Sequence, residues 1–344
     1  MTRKRGLTAS AFRKRVKDTI KHYDMLHEGD RVLAAVSGGA DSVCMLKVLL
    51  DLRAWLETEI IVANVDHCLR GKESEADSMF VKKMSKRLGL KFVHKKVNVR
   101  SGSGKGKSIE ERSRERRYEF LKVSARRNGC NVIATGHTMD DQAETVLMRI
   151  VHGSSLAGVS GIYPVRHEGS LRIVRPLIRV GRGDILDFLQ RTELKHVEDS
   201  SNLDVKFLRN SVRHEILPFL EKYNPKLKRT LANFSDTIRE DLAFINRAKE
   251  KAVKRYAERE TSALAVRIRD IILQPAALKK EIFKELFRKA GGNVKKLTYR
   301  HWMDMDYFLR AAEKSKSLDF PGDIRVTRRR DEIVFGKRKR RKGA

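Results

Sequence analysis

The apolar positions in the first half of the chain alternate between short continuous runs and longer stretches with helical spacing. Short apolar runs that are not interrupted by polar alternation are typical of strands buried on both faces of a sheet. Strands that alternate with helices predict βαβ units with right-handed crossovers. We therefore expect an α/β fold with a doubly wound, mostly parallel sheet. The runs predicted as strands are 32–36, 59–66, 91–99, 131–135 and 171–178.

Helical spacing fills the intervals between these strands. Phe12, Val16 and Ile20 recur on one helix face, so the basic first 20 residues are interpreted as a first helix rather than a transit peptide. Another helix is expected from Ser74, with Asp77 as a variant capping box. A very charged helix over 109–127 and a helix from Asp140 complete the pattern.

The sheet pattern stops near Lys195, and Pro218 and Pro225 mark a change to helical sequence. A long charged helix is expected over 230–257, followed by a small helical domain with a short β tail over 261–335. The domain organisation predicted is a catalytic domain over 1–218 and, over 219–344, a linker helix and a smaller helical C-terminal domain.

Charge changes this picture, because 75 Lys and Arg residues against 44 Asp and Glu leave a net charge of +31. Such an excess indicates a polyanionic partner, most simply nucleic acid, although a basic surface can also serve solubility. The terminal run GKRKRRK (336–342) is either a solvated tail or a phosphate contact. No apolar run reaches the length of a membrane span, and no membrane partner is expected.

The three cysteines, Cys44, Cys68 and Cys130, are far apart and form no CxxC pair. This spacing argues against a zinc ribbon, an iron–sulfur cluster and a dithiol redox motif. It favours the reducing cytoplasm.

The first candidate for chemistry is the turn after the first strand, Ser37-Gly38-Gly39-Ala40-Asp41-Ser42. Glycines let the backbone approach a ligand closely, and the following helix directs its first N–H groups and positive dipole end into the turn. A strand–SGGADS–helix arrangement predicts an anion site, where Asp41 holds a metal or orients a nucleotide.

Polar segments follow other strand ends, which meet at one edge of a parallel sheet. His67 follows the second strand and His137 the fourth. Asp141 and Glu144 are three apart, so both carboxylates share a helix face and suit an ammonium group, unless they only stabilise the helix start. His137 with these two acids is also weighed as a metal site and, alone, as a structural histidine. Four arginines of the charged helix fit phosphate binding or a solvated face: Arg112, Arg114, Arg116 and Arg117.

Together with 199–202 and the FLRNSVR stretch at 207–213, these motifs resemble the tRNA(Ile)-lysidine synthetases, which belong to the N-type ATP pyrophosphatases with a PP-loop and a Rossmann-like fold. The resemblance covers nearly the whole chain and is most specific over 31–218. Cys68 and Thr138 depart from the common pattern, and the C-terminal part is short, which puts in doubt how the tRNA acceptor arm is held.

The resemblance implies a cytoplasmic enzyme that joins free L-lysine to C2 of the wobble cytidine of tRNA(Ile) with the CAU anticodon. ATP and Mg²⁺ are the implied cofactors, and an adenylated cytidine is the implied intermediate. Asp41, Arg117, His137, Asp141, Glu144 and Arg209 are the implied catalytic residues. Ser37, Gly38, Gly39, Ala40, Asp41 and Ser42 would bind ATP, with Asp41 on the metal. Asp141, Glu144 and Arg112 would bind substrate.

Several alternatives stay open. The SGSGKGKS loop (101–108) nearly matches a Walker A loop with Lys107 on the phosphates, but Ser101 replaces its first glycine, so a mobile basic loop is favoured. A tRNA 2-thiolation enzyme of the same class would use paired cysteines. A basic RNA-binding protein with a vestigial nucleotide fold is the alternative without catalysis. The sequence leaves the oligomeric state open, a homodimer included.

Overall fold

The computed structural model describes residues 7–66, 72–97, 109–197, 208–257, 264–311 and 317–338. The chain forms two compact units, the N-terminal unit Met1–Ile238 and the C-terminal unit Arg239–Ala344. Within the described ranges, no helix combines the length and the apolar character that crossing a membrane requires.

A six-stranded sheet organises the N-terminal unit, with strand order β3-β2-β1-β4-β6-β5. The first five strands of this order are parallel, and β5 pairs antiparallel with β6 at one edge. Val32 in the central strand pairs with Ile60 on one side and Val132 on the other. The strands are β1 Arg31–Ala35, β2 Glu59–Asp66, β3 Phe92–Lys96, β4 Val132–Thr135, β5 Val165–Glu168 and β6 Leu171–Val174.

Helices cover both faces of this sheet. Val32 and Ala34 of β1 lie in one hydrophobic cluster with residues of α1, α2, α3 and α7, whereas Leu33 lies in another with residues of α4. Successive strand residues point to opposite faces, so this alternation makes the sheet doubly wound. The helices are α1 Ala9–His22, α2 Ala40–Leu56, α3 Lys72–Arg87, α4 Ile109–Arg127, α5 Met139–Val151, α6 Leu156–Val159, α7 Arg182–Arg191, α8 Leu208–Ser211, α9 Leu217–Glu221 and α10 Leu227–Ala257.

Most predicted elements of the N-terminal unit are confirmed. Phe12, Val16 and Ile20 are buried along α1, and the Phe12 and Phe188 rings stack with centroids 4.4 Å apart. The strand predicted over 171–178 ends at Val174, because Arg175-Pro176 begins a turn. The antiparallel strand β5 was not predicted, since four half-exposed residues give little periodicity.

The C-terminal unit combines helices with an antiparallel sheet of order β7-β10-β9-β8. The expected short β tail is therefore part of a four-stranded sheet. The strands β7 and β8 were not predicted, because each has only four residues and no clear hydrophobic pattern. Phe283, Phe287 and Trp302 lie in its core with Phe320 and Phe335. The elements are α11 Ile268–Ile272, α12 Ala276–Lys289, α13 Tyr299–Arg310, β7 Leu264–Arg267, β8 Ser317–Phe320, β9 Ile324–Arg329 and β10 Glu332–Lys337.

Candidate active site

A cavity of about 640 Å³ opens where the parallel strands of the N-terminal unit end. This is the edge at which open α/β sheets bind ligands. The residues that line it come from the turn after β1, the end of β2, the end of β4, and helices α4, α5, α7, α9 and α10. Those with polar or charged side chains are Ser37, Asp41, Ser42, Arg117, Thr135, His137, Thr138, Asp140, Asp141, Glu144, Arg182, Arg213, His214 and Lys228.

The turn between β1 and α2 has the geometry of an anion site. Gly38 has φ +100°, a conformation that favours glycine, and Gly39 is the N-cap of the 17-residue helix α2. The Ser42 hydroxyl closes the turn by donating to the Gly39 carbonyl (2.9 Å), and the Ser37 N–H donates to the Ser42 Oγ (3.2 Å). The first N–H groups of α2 therefore face the cavity.

A second glycine brings two strand ends together. A Cβ on Gly136 would lie 3.1 Å from the Ser42 backbone nitrogen and 3.2 Å from the Asp41 carbonyl carbon. Any side chain here would push the turn after β4 away from the turn after β1. Gly136 thus holds His137 beside the anion site.

Asp41 lines the cavity within this turn, and the pKa of its carboxyl group is raised. Burial raises the pKa of the Asp41 carboxyl to about 6, aided by Asp141 and Asp140 and opposed by Arg182. Arg182 donates to Asp41 Oδ2 at 2.5 Å. The other oxygen, Oδ1, is buried and has no hydrogen-bond partner among the described residues.

The unpartnered Oδ1 fits a hard cation. Mg²⁺ is usually held by one or two carboxylates together with substrate phosphates and water, so a single carboxylate suits it. Among the described residues there is no cluster of three or more His, Cys, Asp or Glu side chains that forms a complete metal site. A cation at Asp41 would therefore share its coordination with a phosphate ligand.

Two further ion pairs line the cavity. Lys228 Nζ lies 2.9 Å from Asp140 Oδ1, and the backbone N–H of Arg182 donates to Asp140 Oδ2 (2.7 Å). Arg213 contacts both oxygens of Glu144, with Nε to Oε1 at 2.6 Å and Nη2 to Oε2 at 2.9 Å. The Glu144 side chain is only 2 % exposed and that of Arg213 is 33 % exposed, so the carboxylate is withdrawn from water while the guanidinium is not.

Asp141 and Glu144 share one helix face, as their spacing predicts, but their partners differ. Asp141 Oδ2 accepts from the Thr138 N–H (2.9 Å) and hydroxyl (3.0 Å) in a capping box at the start of α5. Its Oδ1 lies 3.8 Å from Arg213 Nη2, and Arg209 Nε lies 3.8 Å from Glu144 Oε2. The arginines of 208–213 thus converge on these acids.

His137 adjoins a concentration of positive charge. Its Nδ1 and the Thr135 hydroxyl are hydrogen-bonded at 2.9 Å. Burial, followed by Arg175, Arg117, Arg114 and Arg209, lowers the pKa of His137 well below its ordinary value. The imidazole is therefore neutral at physiological pH. The most buried of these arginines is Arg175, which is 2 % exposed and donates to the Tyr163 carbonyl.

The cavity brings together most of the residues predicted from the sequence. Those that line it are Ser37, Gly39, Ala40, Asp41, Ser42, Arg117, His137, Asp141 and Glu144. Gly38, Arg112 and Arg209 are not part of the lining, although Arg209 lies against Glu144. The predicted segments around His67, Lys107 and 199–202 lie outside the described residues.

Sequence reasoning missed four residues that line the cavity, Asp140, Arg182, Arg213 and Lys228, and Arg175, which acts on His137. Arg213 stood in a motif that was recognised, and Arg175 interrupts an apolar run at a strand end, which is a usable signal. Arg182 and Lys228 reach the cavity only through tertiary folding, since 141 and 88 positions respectively separate them from Asp41 and Asp140.

Comparison with known proteins gives a consistent result. A family model described as a PP-loop domain matches residues 8–220. The tRNA(Ile)-lysidine synthase of Geobacter sulfurreducens is 33% identical over 327 residues, which are 94% of this chain and 69% of that protein. The protein of the same name from Bacillus cereus strain ATCC 10987 is 33% identical, again over 94% of this chain and 69% of its own length.

Among solved structures, the U34-tRNA thiolase NcsA from Methanococcus maripaludis, with its [4Fe-4S] cluster, superposes with a TM-score of 0.57. The match covers 67% of this chain and 80% of that protein at 20% identity. At this identity the likeness concerns the fold alone.

Proposed function

The chain belongs to the tRNA(Ile)-lysidine synthase family and carries its PP-loop domain, and from this premise we propose the course of its reaction. It is a ligase that forms lysidine on tRNA(Ile) with ATP. Free L-lysine is joined to C2 of the wobble cytidine of the CAU anticodon. The observation that carries this assignment to individual residues is that nine residues predicted from separate segments line one cavity.

The reaction has two halves. The O2 oxygen of cytidine attacks the α-phosphorus of ATP, and pyrophosphate leaves. A lysine amine then attacks C2, and AMP leaves with the former O2 oxygen. Adenylation is needed because a pyrimidine carbonyl oxygen is a poor leaving group.

The turn 37–42 binds the ATP phosphates through the N-terminal N–H groups of α2. Asp41 would hold Mg²⁺, for which its unpartnered Oδ1 is available. The chemistry that Mg²⁺ supplies is neutralisation of phosphate charge, which phosphoryl transfer needs more than covalent help. Arg182, already paired with Asp41, lies where it can contact the same phosphates.

The arginines on the other side of the cavity stabilise the negative charge that develops during both halves. Arg117 lines the cavity, Arg209 of α8 lies against the lining residue Glu144, and Arg112 is on the same helix as Arg117. Neutral His137 contacts the nucleotide or the adenylated intermediate without adding a further positive charge to this cluster.

Asp141 and Glu144 receive the lysine ammonium. Glu144 already accepts two hydrogen bonds from Arg213, yet a carboxylate has about four lone-pair sites and keeps capacity for a further donor. Asp141 Oδ1 is the second acceptor, since the capping box uses Oδ2. Charge-assisted hydrogen bonds are strong in a partly desolvated site of this kind.

The variant Glu144→Gln keeps the shape of the side chain and removes its charge. We expect the KM for lysine to rise about tenfold, by the weight of one charge-assisted hydrogen bond, while the KM for ATP changes little. Single-turnover reactions with labelled ATP should show the adenylated tRNA accumulating when lysine is scarce. An unaltered lysine KM in both Glu144→Gln and Asp141→Asn would place the amine site elsewhere.

The C-terminal region docks the tRNA. Residues 239–344 contain 30 basic and 15 acidic residues, a charge that suits the phosphate backbone. Lys295 and Lys296 are exposed, whereas Lys279 is 4 % exposed and bound to Asp306 (2.9 Å), which excludes it from this role. Catalysis is assigned to 1–218, with Lys228 as an addition from beyond that boundary. Action on tRNA places the enzyme in the cytoplasm.

The decisive experiment measures pyrophosphate release by the full chain with ATP, lysine and tRNA(Ile), and detects lysidine by mass spectrometry of the digested RNA. Release that depends on tRNA, together with a mass gain of lysine at the wobble cytidine, supports the proposal. Release without lysidine would indicate another PP-loop activity. The 2-thiolation alternative is not favoured: burial, chiefly, raises the pKa of Cys44 and Cys130, the two described cysteines, which opposes a reactive thiolate.

A further inference from the structure

Two aromatic rings stand exposed on the helical segment beside the cavity. Phe219 is 52 % exposed and Tyr223 is 78 % exposed. Their centroids lie 5.5 Å apart with the planes at 64°, an edge-to-face pair. The Lys222 Nζ lies 5.8 Å from the centre of the Phe219 ring. The reaction described above uses none of these three residues.

The same segment forms part of the cavity wall. Leu217 is buried and lines the cavity, and Lys228, another lining residue, lies 3.4 Å from Glu221. Residues four apart share a helix face, so Leu217 and Glu221 face the cavity side. Phe219 lies about 200° around the helix from Leu217 and therefore presents its ring on the outer side. The Phe219 ring is thus about one helix diameter, ~10 Å, from the cavity wall, and Tyr223, in the turn after α9, lies against it.

The charge around the pair suits a polyanion. Lys222, Lys226 and Arg229 are all exposed, and Glu221 is the acidic residue in the 219–229 stretch. Single exposed apolar residues are common on protein surfaces, but two rings in contact under a lysine resemble the platforms on which single-stranded RNA stacks its bases. A lysine beside such a ring is well placed for the adjoining phosphate.

The proposed reaction leaves a base next to the cytidine without its stacking partner. A cytidine whose C2 is attacked inside a cavity has to leave the base stack, and its neighbours in the loop then lose a stacking partner. Stacked nucleotides are about 3.4 Å apart along one strand, and a strand with unstacked bases is more extended, so a distance of ~10 Å corresponds to one or two nucleotides.

We infer that Phe219 and Tyr223, with Lys222, form a stacking subsite for an unpaired base of the anticodon loop one or two positions from the modified cytidine. The subsite holds the loop in place while the cytidine occupies the cavity. This inference rests on the proposed function, because it assumes a tRNA substrate. The occupant is an RNA base, and a second copy of the chain is the competing outcome that the experiment separates.

The test uses the full chain and a double variant, Phe219→Ala with Tyr223→Ala. Loss of base–aromatic stacking typically weakens RNA binding about tenfold per base, so the KM for tRNA should rise about tenfold or more. The kcat at saturating tRNA and the KM for ATP should stay within about twofold, since the rings do not touch the reacting atoms. Because both rings are exposed, the variant should keep its thermal stability.

A direct reading comes from an anticodon stem-loop that carries 2-aminopurine at each position flanking the wobble cytidine in turn. Stacking quenches this fluorophore, so the wild-type enzyme should quench it at one position and the double variant should not. The aromatic replacements Phe219→Tyr and Tyr223→Phe should retain the quenching. Their failure to do so would contradict stacking.

Trp55 offers a matched control, because it is another exposed aromatic residue whose ring is in contact with lysine side chains. Lys17 Nζ lies 4.1 Å from its ring centre. Trp55 is near the far end of α2, 15 residues and therefore about 22 Å from the turn 37–42. Trp55→Ala should leave the tRNA KM and the quenching unchanged.

An unchanged tRNA KM in the Phe219/Tyr223 variant would overturn the inference while lysidine formation by the wild-type enzyme upholds the proposed function. A wild-type enzyme that forms no lysidine would overturn the proposed function itself. If the double variant instead changes a dimer into a monomer in light scattering, with quenching intact, the pair is a contact between copies and the inference is wrong.

Discussion

The N-terminal unit and the C-terminal unit carry almost the same net charge on very different lengths of chain. Residues 239–344 contribute +15 of the +31, and the 238 residues before them contribute +16. In the N-terminal unit, cations near the cavity are partly or fully buried. Arg175 is 2 % exposed, and Arg213, one third exposed, is bound to the buried Glu144.

In the C-terminal unit most basic side chains of the described residues lie on the surface, and the buried Lys279, bound to Asp306, is an exception. The excess positive charge is therefore placed differently in the two units. Cations near the cavity are held in place by a carbonyl group or an acid, whereas those of the C-terminal unit are accessible to a long polyanion.

The largest effect is expected from a substitution in the N-terminal unit that lowers catalysis and leaves tRNA binding intact. Asp41→Asn removes the charge that we propose holds Mg²⁺ but keeps the size of the side chain. Pyrophosphate release should fall at least about 100-fold, as for the loss of a major electrostatic contact, while tRNA affinity stays within about twofold. A pyrophosphate assay and a filter-binding assay on the same preparation make the comparison. Full activity in this variant would remove Asp41 from the site.

The same substitution should stabilise the fold, by an effect that depends on pH. The folded protein raises the pKa of Asp41 from 3.8 to about 6, so the ionised carboxylate is unfavourable in the folded state. Its cost is absent below pH 3.8, where both states are protonated, grows up to about pH 6 and is complete above. Allowing for partial exposure, Asp41→Asn should gain about 2 kcal/mol at pH 7.5.

Urea unfolding at pH 7.5 and pH 4 measures this gain, which should nearly vanish at the lower pH. A gain that is equal at both pH values would mean that packing, not ionisation, causes it.

The smallest expected effect concerns tRNA binding by two exposed lysines of the C-terminal unit. Replacing both Lys295 and Lys296 by alanine should weaken tRNA binding about fivefold at physiological salt and leave ATP turnover at saturating tRNA unchanged. The log–log dependence of affinity on salt should become shallower by about 0.7–0.9 for each lost phosphate contact. A titration of affinity against salt concentration measures the slope. An unchanged slope would remove these lysines from the tRNA interface.

Much of this molecule was determined by the sequence alone. Continuous apolar runs predicted the central strands, because a strand buried on both faces needs apolar side chains at every position. The spacing of Phe12, Val16 and Ile20 predicted α1, and the SGGADS motif predicted a glycine turn between β1 and α2. These features depend on neighbouring residues, so local sequence carries them.

Tertiary structure decided which charges meet. Arg182, Lys228 and Arg213 pair with Asp41, Asp140 and Glu144 across 141, 88 and 69 positions, and no periodicity links such residues. The pKa of Asp41 and the neutral state of His137 likewise arise from burial and from charges that only the fold brings close. The short strands β5, β7 and β8 belong to the same class, because four residues become a strand only when a partner strand supplies the hydrogen bonds.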